Sequence, residues 1–208
     1  MANINLINDD CINVMKGYHD NHFDLAIVDP PYGIGASEMT MGKGKDKKYK
    51  KGKMWDNYTP NDDYFIELKR VSKNQIIWGG NYFNLPLTKS WIFWDKGIYG
   101  DSDFADGELA WTSFGKVIRI AKIRYKGFLG ADKERIHPTQ KPIKLYKWLL
   151  NNYAKQGHKI LDTHLGSGSI AIACHDYGYD LVGVELDKDY FNSAKKRFNN
   201  HIMQQSLF

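Results

Sequence analysis

Short apolar runs set off by polar turns give this chain its rhythm. Ile4–Ile7, Leu25–Val28, Gln75–Trp78, Trp91–Trp94, Glu108–Thr112, Val117–Ile123, Lys159–Leu161 and Asp180–Val184 read as strands. Most are continuous rather than alternating, as expected of strands covered on both faces. Helical spacing lies between several of them. In Pro60–Ser72, Tyr64, Phe65, Leu68 and Val71 fall on one face. Pro142–Ala154 carries its proline in the first turn, where a missing N–H costs nothing. Ser169–Tyr177 and Asp189–Ile202 complete the set. Strands alternating with helices predict an α/β fold with a mostly parallel sheet and helices on both faces. The stretch from Trp91 to Ile123 is strand-rich and helix-poor, which predicts an antiparallel edge strand there.

One segment, Gly33–Trp55, has no apolar period. It concentrates Lys43, Lys45, Lys47, Lys48, Lys50, Lys51 and Lys53 against only Glu38 and Asp46. It cannot bury enough apolar surface to order itself, so it reads as a mobile basic arm. A solvated surface loop and a phosphate-contacting arm both fit that composition. What immediately precedes it favours the arm.

At 208 residues and 42% hydrophobic content, one domain with a substantial core is expected. The net charge of +5 suits a polyanionic partner without demanding one. The cysteines, Cys11 and Cys174, have neither metal-ligand spacing nor the density of a disulfide framework, so no metal is expected. No signal peptide and no bilayer-spanning run is seen, which points to a cytoplasmic setting.

Candidate chemistry sits at two strand ends. The first strand in question, Leu25–Val28, runs into Asp29-Pro30-Pro31-Tyr32. Ligands of open α/β sheets collect beyond the carboxyl ends of strands. Consecutive prolines stiffen the turn and remove two N–H groups. What remains is a set of acceptors, the Asp29 carboxylate and the Pro30 carbonyl, beside an aromatic ring. Two acceptors gripping the hydrogens of an exocyclic amine favour a tetrahedral nitrogen with an available lone pair. The ring can stack on a base drawn out of a duplex. A strand-end turn with a capping aspartate is the plain alternative.

The second strand, Lys159–Leu161, leads through Asp162 into a turn containing Gly166, Ser167 and Gly168, and a helix follows. Such a turn lets backbone approach a ligand and leaves helix-start N–H groups free. The next strand ends in Glu185, roughly 20 residues on, where a carboxylate can accept both ribose hydroxyls. The glycines do not follow the dinucleotide-binding pattern, which weakens a nicotinamide reading.

These residues carry a family resemblance. Asp29-Pro30-Pro31-Tyr32 resembles the catalytic motif of amino-methyltransferases. His137-Pro-Thr-Gln-Lys-Pro142 followed by Asp162-Thr-His-Leu-Gly-Ser-Gly168 resembles the cofactor half of the β-class DNA methyltransferases. In that class the catalytic motif comes first, as here. Glutamine and ribosomal-RNA methylating relatives usually reverse the order. The likeness spans Ile4 to about Arg197. It implies a circularly permuted, Rossmann-like class I methyltransferase fold, S-adenosylmethionine as cofactor, DNA as partner and a homodimer. It assigns catalysis to Asp29, Pro30, Pro31 and Tyr32. It assigns the cofactor's adenine amine to Asp10, its ribose to Glu185 and its methionine end to Thr139, Gln140 and Lys141, with Asp162, Gly166, Ser167 and Gly168 forming the turn beneath it. The seven lysines from Lys43 to Lys53 would meet DNA.

Within the class an initial Asp is typical of adenine-N6 enzymes and an initial Ser of cytosine-N4 enzymes, so Asp29 points to adenine. Runs such as Trp78-Gly-Gly-Asn-Tyr-Phe83 and Phe104–Trp111 resemble small phage and prophage members, which implies a bacterial or phage origin. Two departures stand out. Thr163-His164 replace the usual Pro-Phe, and only about Arg124–Ile136 is available for target recognition. Cytosine-N4 methylation is the enzymatic alternative, and a catalytically silent DNA-binding module is the alternative of another class. Lys195, Lys196 and Arg197 read as a solvated helical face, and His137 as a structural part of its loop.

Overall fold

A computed structural model describes residues 2–36, 56–98, 105–125 and 136–205. The lysines Lys43, Lys45, Lys47, Lys48, Lys50, Lys51 and Lys53, and most of the 124–136 stretch, lie outside the described residues.

Among the described residues eight strands form one sheet: β1 (Ile4–Ile7), β2 (Leu25–Val28), β3 (Gln75–Trp78), β4 (Trp91–Asp95), β5 (Gly107–Thr112), β6 (Arg119–Lys122), β7 (Lys159–Asp162) and β8 (Asp180–Val184). Their order is β1-β8-β7-β2-β3-β5-β4-β6. All neighbouring pairs are parallel except those that β5 makes with β3 and β4. The antiparallel strand is therefore inside the sheet, and the edge strand beyond it, β6, runs parallel to β4.

Among the described residues five α-helices cover the sheet: α1 (Cys11–Lys16), α2 (Asp62–Val71), α3 (Ile143–Tyr153), α4 (Ser169–Tyr177) and α5 (Lys188–Gln205). Strand β2 shows why both faces need cover. Its Leu25 and Ile27 enter a core with Leu145 and Leu149 of α3, Ile170 and Ala173 of α4, and Phe198 of α5. Its Ala26 and Val28 face Met15 of α1 and Tyr64, Phe65 and Leu68 of α2. A run buried at every position is what period-2 geometry requires between two helical layers. The short helix α1 lacks the length to announce itself by periodicity. It is held by its N-cap, Asp10, whose carboxylate accepts from the Ile12 N–H at 2.7 Å.

The order places β7 between β8 and β2. The Gly-rich turn after β7, the acidic end of β8 and the Asp29 turn after β2 thus emerge side by side, although far apart in sequence. No helix among the described residues is long and apolar enough to cross a membrane.

Candidate active site

Two cavities open at this edge of the sheet. The larger, about 630 Å³, is lined by Asp10, His137, Tyr64, His164, Gly166, Ser167, Glu185 and Tyr190, among others. The smaller, about 400 Å³, is lined by Pro30, Tyr32, Asn81, Tyr82, Phe93, Lys96, Glu108 and Tyr125, among others. Asp29, Pro31, Thr139, Gln140 and Lys141 line both. The wall between the cavities is thus built from the Asp29 turn on one side and the loop before α3 on the other.

In the Asp29 turn, the Tyr32 hydroxyl donates to the Asp29 carboxylate at 2.6 Å. The Tyr32 ring stacks on Tyr82 with centroids 5.0 Å apart and planes inclined by 12°. The Pro30 carbonyl takes no hydrogen bond from any described residue. The turn is pinned from behind by a residue the sequence reading passed over. Buried Asp56 accepts from the backbone N–H groups of Tyr32 (2.7 Å), Gly33 (3.1 Å) and Ala36 (2.7 Å). Gly79, at φ +67°, is the other support: a β-carbon there would overlap the Tyr32 ring.

The Lys141 ammonium lies 2.5 Å from Asp29 and 3.0 Å from Glu108, and Glu108 also meets Lys96 at 2.8 Å. Burial opposes ionisation of Glu108, yet Lys141 and Lys96 outweigh it and hold its pKa down at about 2. Burial pushes Asp29 up, Lys141 pulls against it, and Glu108 adds to the rise. Lys96 and Glu108 lie in runs that resemble small family members, but no sequence signal assigned either a role, because each sits in an ordinary strand or strand end. Lys141, expected at a methionine end, places its charged tip on Asp29.

The larger cavity is built on the turn after β7. Glu185 accepts from the Gly166 N–H at 2.8 Å and from the Asp187 N–H at 2.9 Å, tying the end of β8 to that turn. Gly166 lines the cavity with φ +51°. Gly168 does not line it. Its β-carbon would meet Ala194 at 3.2 Å, so this glycine allows α5 to approach. Asp162 lies behind the wall. It accepts from the His164 N–H at 3.0 Å, and burial pushes its pKa to about 8. Cys11 reaches the cavity, but burial and neighbouring Asp10 push its thiol up to about 12. Burial likewise raises Cys174, so neither sulfur is a ready nucleophile.

Two expectations change here. Arg197 is not on a solvated face. It is buried, and donates to the Ser167 carbonyl at 2.8 Å and to Ser169 Oγ at 2.9 Å, while Lys195 and Lys196 remain exposed. A guanidinium can satisfy a turn's carbonyl and hydroxyl together, which outweighs the helix-face argument. Thr163 and His164 also find work. The Thr163 hydroxyl bonds Tyr64 at 2.7 Å and His164 at 2.9 Å, and the His164 ring meets Tyr64 edge-on at 5.4 Å. Burial lowers His164 to about 4, so a neutral aromatic ring occupies the position where the family usually has phenylalanine.

His137 takes the loop role expected of it, with the Thr139 N–H on its Nδ1 at 3.3 Å and Tyr190 packed at 4.4 Å. Away from both cavities, His175, Asp176 and His201 bring possible ligand atoms within 4.8 Å of one another. Lys147 takes one Asp176 oxygen at 2.6 Å.

A DNA methylase family model matches residues 45–196. The type II methyltransferase M.HpaI of Haemophilus parainfluenzae is 26% identical over 237 residues, covering 94% of this chain and 74% of that one. The type II methyltransferase M2.MboI of Moraxella bovis is 22% identical over 95% of this chain and 88% of its own length. Among solved structures, a complex of M1.HpyAVI with SAM superimposes with a TM-score of 0.62 at 19% identity, covering 93% of this chain and 99% of that one. The PvuII cytosine-N4-specific DNA methyltransferase gives 0.62 at 12% identity, covering 95% of this chain and 87% of its own.

Proposed function

Because the chain belongs to the N6/N4 DNA methylase family, and is therefore a DNA methyltransferase, we propose that it methylates the exocyclic N6 of an adenine flipped into the smaller cavity. S-adenosylmethionine fits the larger cavity on chemical grounds. Among the described residues, the lining offers Asp9, Asp10, Asp29, Glu185 and Asp187 against the one cation Lys141, an acidic surround suited to a sulfonium. Glu185 lines this cavity at the end of β8, where a carboxylate suits a ribose diol. Thr139, Gln140 and Lys141 stand where the donor's amino-acid end would meet the wall. The cofactor supplies an electrophilic methyl group on sulfur.

The chain's own residues do the rest. Tyr32 and Tyr82 offer aromatic faces to the base, whose extrusion costs a few kcal/mol. Asp29 and the Pro30 carbonyl accept the amine hydrogens and turn the nitrogen lone pair towards the larger cavity. An ionised carboxylate has about four acceptor positions, so Tyr32 and Lys141 leave room on Asp29 for the amine. As the nitrogen bonds carbon it sheds a proton, and Asp29 is the adjacent base. Positioning in a site shielded from water supplies the rate. With so little chain between Arg124 and Ile136, the smaller cavity itself carries base selection, and Lys43–Lys53 hold phosphates.

The observation that carries this reading is the pair of acceptors, Asp29 on the wall common to two cavities and Pro30 beside it in the smaller one. The test is incubation with labelled S-adenosylmethionine and unmodified DNA, followed by nucleoside mass spectrometry. N6-methyldeoxyadenosine is expected. N4-methyldeoxycytidine would overturn the choice of base, and no incorporation would favour the silent module. Asp29→Ala is expected to abolish transfer while DNA binding, with its salt dependence, persists.

A further inference from the structure

The wall between the cavities holds four charged side chains in alternating order: Asp29, Lys141, Glu108 and Lys96. Their contacts are 2.5 Å, 3.0 Å and 2.8 Å. They come from four places in the chain: the turn after β2, the loop before α3, β5 and the residue after β4. Lys141 is the central member. Its side chain is only 3% exposed, and its ammonium lies over the rings of Trp78 at 5.4 Å and Tyr32 at 5.8 Å. An ammonium so enclosed is little screened by bulk solvent, so its division between two carboxylates is set by their positions.

We propose that Lys141 and Glu108 act together as positioning residues for Asp29: Lys141 keeps that carboxylate ionised and turned to the wall, and Glu108 draws Lys141 back so that acceptor capacity on Asp29 stays available to the amine. This rests on the reading of Asp29 as the amine's acceptor. Lys141 has a carboxylate on either side, Lys96 ends the row on Glu108, and the row is neutral as a whole. That balance is what lets charge stay buried, because removing one member strands its neighbour. With Glu108 absent, Lys141 would give all its donors to Asp29 and compete with the incoming amine. With Lys141 absent, Asp29 and Glu108 would face each other with no cation between them.

Other groups act on Asp29 from the remaining elements. Tyr32 donates to it directly. Tyr64 on α2, Tyr146 on α3 and Asp162 at the end of β7 feel its charge, and Lys96 acts through Glu108. None of these changes in the variants below, so the sign of each shift belongs to the residue replaced.

The test compares wild type with Lys141→Met, Lys141→Arg, Glu108→Gln and the double variant Lys141→Met/Glu108→Gln. Two quantities are read: the acidic limb of the kcat–pH profile, and the carboxyl titration midpoint of Asp29 by carbon NMR in protein free of cofactor and DNA. Lys141→Met is expected to move both upwards by about one to three pH units, so the rate at a fixed pH on that limb falls at least about tenfold. Glu108→Gln should move both downwards and raise KM for DNA. The double variant should return towards wild type, and Lys141→Arg should keep the midpoint. A uniform loss of kcat at every pH with an unmoved midpoint would overturn the proposal, as would a double variant whose midpoint stays as high as that of Lys141→Met. If Lys141→Met does not fold, the Glu108→Gln midpoint decides: a fall supports the proposal, and a rise or no change sinks it. Retained transfer in Asp29→Ala would instead sink the reading of Asp29 itself.

Discussion

Tyr32 and Asp29 form a single hydrogen-bonded unit, phenol to carboxylate at 2.6 Å. In the proposed function, the ring that would cover the base and the acceptor that would hold its amine are therefore aligned with each other by the protein. Tyr32→Phe keeps the ring and frees a lone pair on Asp29, so kcat should change less than about tenfold. Tyr32→Ala removes stacking worth about 1–3 kcal/mol per base, and single-turnover rates should fall about 10- to 100-fold.

Gly79 is the second support of that ring. Gly79→Ala puts a methyl group where Tyr32 lies, in a left-handed backbone conformation that disfavours a side chain. The backbone strain alone is worth about 1–3 kcal/mol. Transfer should fall by about 100-fold, because a displacement on the order of 1 Å suffices for that. Stopped-flow rates and a thermal melt on the same sample would separate the two effects.

Asp56 collects three backbone N–H groups that have no sheet to join. Asp56→Ala should lower stability by about 1–3 kcal/mol, the usual cost of stranded donors. It should also lower kcat more than KM for cofactor, since the larger cavity does not include this residue. Urea denaturation and calorimetric binding are the measurements.

Arg197 ties α5 to the turn under the larger cavity. Arg197→Met keeps much of the side chain's bulk but leaves the Ser167 carbonyl unanswered. Calorimetry should show about tenfold weaker binding of S-adenosylmethionine, a loss of about 1.4 kcal/mol that lies within the range for a hydrogen bond to a charged group.

Two buried groups give stability an opposed pH dependence. Asp162 titrates at about 8 in the fold against an ordinary 3.8, so its contribution is full below about 4 and is lost as pH rises through 8. His164 titrates at about 4 against 6.5, so its contribution grows as pH rises from 4 to 6.5 and is lost as pH falls through 4. The two oppose each other up to 6.5, and above it Asp162 acts without that counterweight. Melting temperature should therefore fall from pH 6.5 to 8, at up to about 1.4 kcal/mol per pH unit of lost stability. Asp162→Asn should flatten that limb in scanning calorimetry.

Most of the strands and the longer helices were legible because their apolar runs and helical periods are long enough to exceed the noise of composition. Six-residue α1 was not, since its evidence is one capping aspartate. The position of β5 was not either: antiparallel character shows in the absence of a crossover helix, but strand order does not. At the candidate site, the consecutive motifs around Asp29 and Gly166 could be read directly. Asp56, Lys96 and Arg197 could not, because each works by reaching a partner at least 12 residues away in the chain, and a lone charged residue carries no mark of its distant partner.

Asp29, Pro31, Thr139, Gln140 and Lys141 face both cavities. For kinetics this has a practical outcome. A Michaelis constant measured for either substrate will register damage done to the other's chamber, so a shift in one apparent affinity at these five positions does not say which partner lost its seat. Equilibrium titrations with each ligand alone, followed by the same titrations with the second ligand saturating, are needed to assign the loss to a side.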